Sequence, residues 1–152
     1  MNTNIKEILV IGLGLIGSSI AKASKEKGIK VHGFDIDDKS LQYALDNKII
    51  DNSFNSLVTV NNKEITSYID LIVIAASPEA TKDIISNIQH LWNTQTTITD
   101  TSSVKNHLSY KDVTNIVLSH PIAGSDKSGI SSGDKNLFTG KKTVICNPFN
   151  AD

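Results

Sequence analysis

Residues 7 to 35 read EILVIGLGLIGSSIAKASKEKGIKVHGFD, and this stretch decides the fold. It opens with a continuous apolar run, 7 to 11, that is of strand length and stops at Gly12, as a strand buried on both faces does. From Ile16 the period changes. Ile16, Ile20 and Ala23 fall at i, i+4 and i+7, which predicts a helix with these as its inward line, and Gly28 stands where a C′ glycine belongs. A second strand, 30 to 35, then ends at Asp35.

Between the first strand and the helix, GLGLIG at 12 to 17 matches G-x-G-x-x-G. The pattern is short and glycine is common, so its weight comes from the strand before it and the helix after it. Gly12 is expected to make the tight turn, Gly14 to let the backbone approach a pyrophosphate at the helix N-terminus, and Gly17 to let the helix close onto the sheet. Leu15 and Ile16 complete that cofactor-binding loop. Asp35 follows Gly17 by 18 residues, where a carboxylate accepts from the two ribose hydroxyls of adenosine and repels a 2′-phosphate. NAD is therefore expected in preference to NADP.

The rest of the chain repeats the alternation. Asp37 is placed to cap a helix over about 38 to 47 with Leu41, Ala44 and Leu45 inward. Residues 49 to 68 are rich in Asn and Ser, with a short strand expected at 57 to 60 and a turn at 60 to 64. DLIVIAA, 70 to 76, is a strand; Ser77 and Pro78 are N-cap and N1 of a helix whose expected inward line is Ala80, Ile84, Ile88 and Leu91. Strands at 96 to 100 and 115 to 120 flank a short helix near 103 to 110, and a loop of about 20 residues leads to a last strand, 142 to 147. Strands alternating with helices predict a doubly wound, mainly parallel α/β sheet of Rossmann type, in one domain over 1 to 152.

The whole-chain properties exclude several classes. A formal charge of -1 gives no field for nucleic acid, and no window approaches the roughly 20 apolar residues that cross a bilayer. The first residues carry no basic segment ahead of the apolar run, unlike a secretory signal. The single cysteine, Cys146, allows no internal disulfide, which suits a reducing cytoplasm, and it is read as a small core residue. Metal-ligand spacing is absent. All 15 basic residues are lysine, so there is no arginine.

Ligands of such sheets bind beyond the C-terminal strand ends, where this chain puts Asp35, then Ala76, Ser77 and Pro78, then Asp100, Thr101, Ser102 and Ser103, then Ser119, His120 and Pro121. Ser103 and His120 lie past the adenosine half, at the redox end. A neutral imidazole is fit to take a hydroxyl proton as a hydride leaves; a histidine at a strand end also occurs as a plain structural residue, and spacing alone leaves both readings open. Asp100 stands equally as a helix cap or as a cofactor contact. His32, His90 and His107 carry no assigned chemistry.

GLGLIGSSIAKA (12 to 23), GFD (33 to 35), DTSSVK (100 to 105), HPIAGSDKSG (120 to 129) and NLFTGKKTVICNP (136 to 148) together resemble the cofactor domain of the prephenate dehydrogenases and the related arogenate dehydrogenases of tyrosine biosynthesis. The resemblance implies NAD-dependent oxidation of prephenate with loss of CO2 to give 4-hydroxyphenylpyruvate. It implies His120 as the catalytic histidine, Ser103 as the serine beside it, and Ser125 and Asp126 near the substrate, where relatives often have Thr and Glu. Relatives continue into a helical domain that makes the homodimer and adds substrate-binding residues, an arginine included. The resemblance thus implies the first domain of a longer enzyme. Lys105 and Lys127 are the cations expected on the substrate side. A 3-hydroxyacid or imine dehydrogenase would share the glycine loop and Asp35 but would not require His-Pro-x-Ala-Gly at 120 to 124, and against an NAD-sensing module without chemistry stands the Ser103 and His120 pair at the redox end.

Overall fold

The structure, a computed structural model, describes residues 5–54, 56–57, 68–91, 94–105 and 114–146. Strands β1 (Glu7–Ile11), β2 (Lys30–Phe34), β3 (Asn52–Ser53), β4 (Leu71–Ile74), β5 (Thr97–Asp100), β6 (Ile116–Pro121) and β7 (Thr143–Cys146) form one sheet in the order β3-β2-β1-β4-β5-β6-β7. All pairings are parallel except that of β6 with β7. With α1 (Leu15–Glu26), α2 (Asp38–Asp46) and α3 (Pro78–Asn87), this is the expected Rossmann-type arrangement. Residues 58 to 60 of the strand expected at 57 to 60, the turn after it and residues 106 to 110 of the expected short helix lie outside the described residues; the Asn- and Ser-rich stretch also contributes β3, two residues paired to His32 and Gly33.

β1 is buried on both faces, as its unbroken apolar run requires. Ile8 and Val10 pack with Leu13, Ala21, Val31, Leu41 and Ala44 under α1 and α2, whereas Leu9 and Ile11 pack with Ile72, Ile74, Ile84, Ile88 and Leu91 under α3. Both expected caps form. Asp37 accepts from the N–H groups of Lys39 and Ser40, and Ser77 accepts from that of Ala80. Gly28 ends α1 at φ +75°, a conformation that suits glycine.

Two helix faces differ from expectation. In α1 the buried residues are Gly17, Ser18, Ser19 and Ala21, while Ile16, Ile20 and Ala23 are only half-buried. A Cβ on Gly17 would stand 1.8 Å from the Gly12 carbonyl oxygen, so the helix lies too close for large side chains and approaches through its small ones. Their hydroxyls are satisfied within the helix: Ser18 Oγ donates to Gly14 O and Ser19 Oγ to Leu15 O, each at 2.6 Å. In α3 Ala80 is exposed and Thr81 is buried in its place, its hydroxyl donating to Ser77 O at 2.8 Å.

A further tie concerns the long loop after β6. Ile130 joins the core under α1 and α2, the Asp134 N–H donates to Ser19 Oγ at 2.9 Å, and Lys22 Nζ donates to Gly133 O at 2.6 Å. The loop is thus fastened to α1.

Asp51 joins α1 to β2, accepting from Lys25 Nζ and from the Val31 N–H at 2.8 Å. Burial pushes its carboxyl up, but the Lys25 and Val31 hydrogen bonds outweigh burial and hold it below the ordinary carboxylate value. A carboxylate depressed in the folded state stabilises fully above its unfolded value, ~3.9, and loses that contribution as pH falls through the folded value. Urea midpoints measured from pH 6 to pH 2.5 are expected to fall in the lower part of that range. Asp51→Asn is expected to cost about 1 kcal/mol at pH 7 and to flatten the decline; an unaltered acid limb would show that other carboxylates set it.

Candidate functional site

Strand order reverses between β1 and β4, and a cleft of about 290 Å3 opens there, bounded by Gly12, Gly14, Asp35, Ala76 and Ser77. Gly12 has φ +90°, and a Cβ there would come within 2.6 Å of the Ala75 carbonyl, so the β1 and β4 ends touch through glycine. A Cβ on Gly14 would meet nothing within 4 Å, which leaves that face of the loop open. The first turn of α1, with Leu15, Ile16 and Gly17, carries no acid, while α2 and α3 carry Asp38 and Glu79 in theirs. Its unpaired N–H groups and dipole therefore favour an anion without a competing carboxylate.

Asp35 holds the loop from the other side. One carboxylate oxygen accepts from the Leu13 N–H at 2.7 Å and the other from the Asp37 N–H at 3.0 Å. Each oxygen keeps a further lone-pair site for a ligand hydroxyl. Beyond the expected residues, Phe34, Ile36, Ala80 and Ile84 give the cleft an apolar wall. Ile36 is 94% exposed, a large apolar side chain in water at the cleft. Its signal in the sequence is an isoleucine set among the acids of Asp35, Asp37 and Asp38. Ser77 lines the cleft while capping α3, and Pro78 begins that helix.

His120 lies near the end of β6, and three strand spacings of about 4.8 Å put β6 about 14 Å from β1. The half-buried imidazole Nδ1 donates to the Thr101 carbonyl at 3.1 Å. That bond leaves the lone pair of the neutral ring on Nε2, the form able to receive a proton. Ser103 is exposed two residues beyond Thr101, and Ser125 and Asp126 are exposed in the loop that follows β6.

Asp100, expected as a helix cap or as a cofactor contact, accepts from the Ser102 N–H at 3.3 Å. Its carboxylate is 1% exposed and bonds Lys105 Nζ at 2.6 Å. Of the two cations expected on the substrate side, Lys105 is turned inward to meet it and Lys127 is exposed. His32 is buried against Phe54 and pairs with Glu7 at 2.9 Å, far along the sheet from His120.

A family model described as prephenate dehydrogenase, nucleotide-binding domain, matches residues 20 to 152. The chain belongs to the prephenate dehydrogenase family. The match begins after the glycine loop, so the loop and its open face are an independent sign of nucleotide binding. Prephenate dehydrogenase of Bacillus subtilis is 33% identical over 147 residues, covering 91% of this chain and 38% of that protein. Prephenate dehydrogenase of Lactococcus lactis is 31% identical, covering 93% and 41%. The chain spans about two fifths of the length of these relatives. Among solved structures, prephenate dehydrogenase of Aquifex aeolicus in complex with hydroxyphenyl propionate and NAD+ superposes with a TM-score of 0.82 at 28% identity, covering 100% of this chain and 54% of that one. Arogenate dehydrogenase of Synechocystis shares the fold, with a TM-score of 0.77 at 22% identity, covering 96% and 51%.

Proposed function

We propose that this chain is the NAD-binding and part-catalytic domain of a dehydrogenase that oxidises prephenate to 4-hydroxyphenylpyruvate, with arogenate as the alternative substrate. The observation that carries the reading is the His120 imidazole, fixed through Nδ1 with its lone pair on Nε2 and standing on the strand that lies past the nucleotide cleft. The residues fit NAD: an acid-free helix start for the pyrophosphate, Asp35 for the ribose and an apolar wall for the base. Bound there, NAD would supply the hydride acceptor for the ring carbinol carbon.

His120 Nε2 takes the hydroxyl proton as the hydride departs. The ring carboxylate then leaves as CO2, its bonding electrons close the aromatic ring, and the phenolate oxygen recovers the proton from His120. Ser103, Ser125 and Asp126 orient the substrate around this exchange. Prephenate carries two carboxylates, which arginine recognises best and this chain does not contain. We place the main carboxylate anchor, and the homodimer contact, in the further part of the enzyme that the longer relatives imply. The enzyme works in the cytoplasm, where Cys146 stays reduced.

Titration of the 152-residue chain is expected to give NAD affinity at least about tenfold tighter than NADP, ~1.4 kcal/mol. Asp35→Ser narrows that gap mainly by weakening NAD, because the Leu13 and Asp37 N–H groups also lose their acceptor. Prephenate turnover is expected only when the domain is joined to the remaining part of an enzyme of this family. Equal NAD and NADP affinities, or full turnover by residues 1 to 152 alone, would overturn the corresponding assignment.

A further inference from the structure

The hydrogen-bonded ladder between β5 and β6 runs from Ile98 and Ile116 to Asp100 and Leu118, and ends there. His120 lies beyond that end, held on its other side by β7, where its partner is Val144. The Thr101 carbonyl that receives its Nδ1 proton also lies beyond the ladder. Backbone pairing holds each segment to its outer neighbour, the Thr101 N–H donating to Ile74 O at 2.9 Å and His120 lying in register with Val144, so the tie between the two segments themselves falls to side chains, among them Thr99 Oγ1 and Ser119 Oγ at 3.0 Å.

Lys105 supplies another such tie. Its Nζ donates to Asp100 Oδ1 at 2.6 Å and to the Ser119 carbonyl at 2.7 Å. Ser119 Oγ adds a bond to the Asp100 carbonyl at 3.0 Å. Asp100 is the chain neighbour of Thr101, and Ser119 is the chain neighbour of His120. The ammonium thus bridges the two peptide segments that supply the acceptor and the donor of the imidazole bond. Side-chain exposures of 17% for Lys105 and 1% for Asp100 put the pair out of bulk water, where a mismatched charge is costly and the geometry is correspondingly fixed.

We propose that Lys105 is a positioning residue for His120: by bridging Asp100 and Ser119 past the end of the β5–β6 ladder, it keeps the Thr101 carbonyl opposite Nδ1 and so fixes the imidazole tautomer. The site is the one read above as catalytic, and the claim concerns its geometry, whatever reaction it serves. Lys105 Nζ bonds the Asp100 carboxylate and the Ser119 carbonyl, and Lys105 is not among the residues that line the nucleotide cleft, so its effect on the imidazole is indirect.

The test is nitrogen-15 NMR of the histidine side chains in the 152-residue chain at about pH 8.5, where an imidazole of ordinary pKa, ~6.5, is neutral. His120 is expected in the Nδ1–H form. Lys105→Met keeps a stem of similar length without the ammonium, and is expected to bring up a substantial Nε2–H population at His120 while His32 is unchanged. Because that variant leaves Asp100 buried without its cation, the double variant Asp100→Asn/Lys105→Met supplies a neutral pair in case the single one does not fold. Lys105→Arg, which still reaches both oxygens, is expected to retain the Nδ1–H form. His120 remaining wholly Nδ1–H in a folded Lys105→Met or double variant would overturn the proposal, as would an Nε2–H form in the unaltered chain. Turnover does not enter the readout, so loss of the dehydrogenase assignment would leave the result interpretable.

Discussion

His120→Asn, in a complete enzyme carrying this domain, is expected to lower kcat by about 10²- to 10⁴-fold, the range for losing a general base. Asparagine retains a planar polar group that can still donate to the Thr101 carbonyl, so the β5 and β6 ends keep their tie. What disappears is the Nε2 lone pair. NAD affinity is expected to stay within about threefold, ~0.7 kcal/mol, because the cleft between β1, β2 and β4 does not include residue 120. Stopped-flow measurement of NADH formation with prephenate, beside a separate NAD titration, separates the two effects. Unchanged kcat would return His120 to the role of a structural residue at a strand end.

The second large effect belongs to Gly17→Ala. The new Cβ would lie 1.8 Å from the Gly12 carbonyl oxygen, a backbone atom with no flexible side chain to yield. Overpacking costs about 1–3 kcal/mol at ordinary core sites, and this contact belongs at the upper end, about 3 kcal/mol. The molecule has two ways to bear it. If the loop stays in place, stability falls and Tm drops by about 6–12 °C, at about 2–4 °C per kcal/mol for a chain of this size. If the loop moves away, stability recovers, but the binding arrangement becomes the minor state and nucleotide affinity falls by up to about 100-fold. Calorimetry and NAD titration on one sample are expected to show the two losses summing to about 3 kcal/mol. A variant that keeps both its Tm and its affinity would mean that α1 does not need its close approach.

What the sequence disclosed, and what it hid, follows from where polarity is displayed. The glycine loop, Asp35, the caps at Asp37 and Ser77 and the polar ends of β5 and β6 were legible because each depends on local chain geometry or on a strand end. The inward faces of α1 and α3 were not, because Ser18, Ser19 and Thr81 bond their own helix carbonyls and so are buried at no loss of hydrogen bonding, while looking polar in the sequence. Ala80 misled in the opposite direction: an apolar residue left exposed because it faces the cleft rather than the core. Lys105 was hidden for a third reason. Its partners, Asp100 and Ser119, include a residue from a later strand, and a lysine on a loop carries no mark that it will turn inward. The family resemblance singled out His120 but offered no account of what sets its ring; the Thr101 contact is visible only once β5 and β6 are side by side.

The loop after β6 is held at both ends. Ile122 donates to the Lys142 carbonyl at 2.8 Å beside β7, and Ile130, Gly133 and Asp134 are secured against α1. Residues 123 to 129, with Ser125 and Asp126 among them, therefore form a short closed circuit between two fixed posts. The entropy of closing such a circuit grows only with the logarithm of its length, so doubling it costs about 0.6 kcal/mol. Positional precision behaves otherwise, since every added residue brings two more free dihedrals between Ser125 and the post at His120. On the substrate-orienting role proposed for Ser125 and Asp126, lengthening this span is expected to be almost neutral for folding and severe for alignment, so its residue count would set substrate selectivity without being constrained by stability.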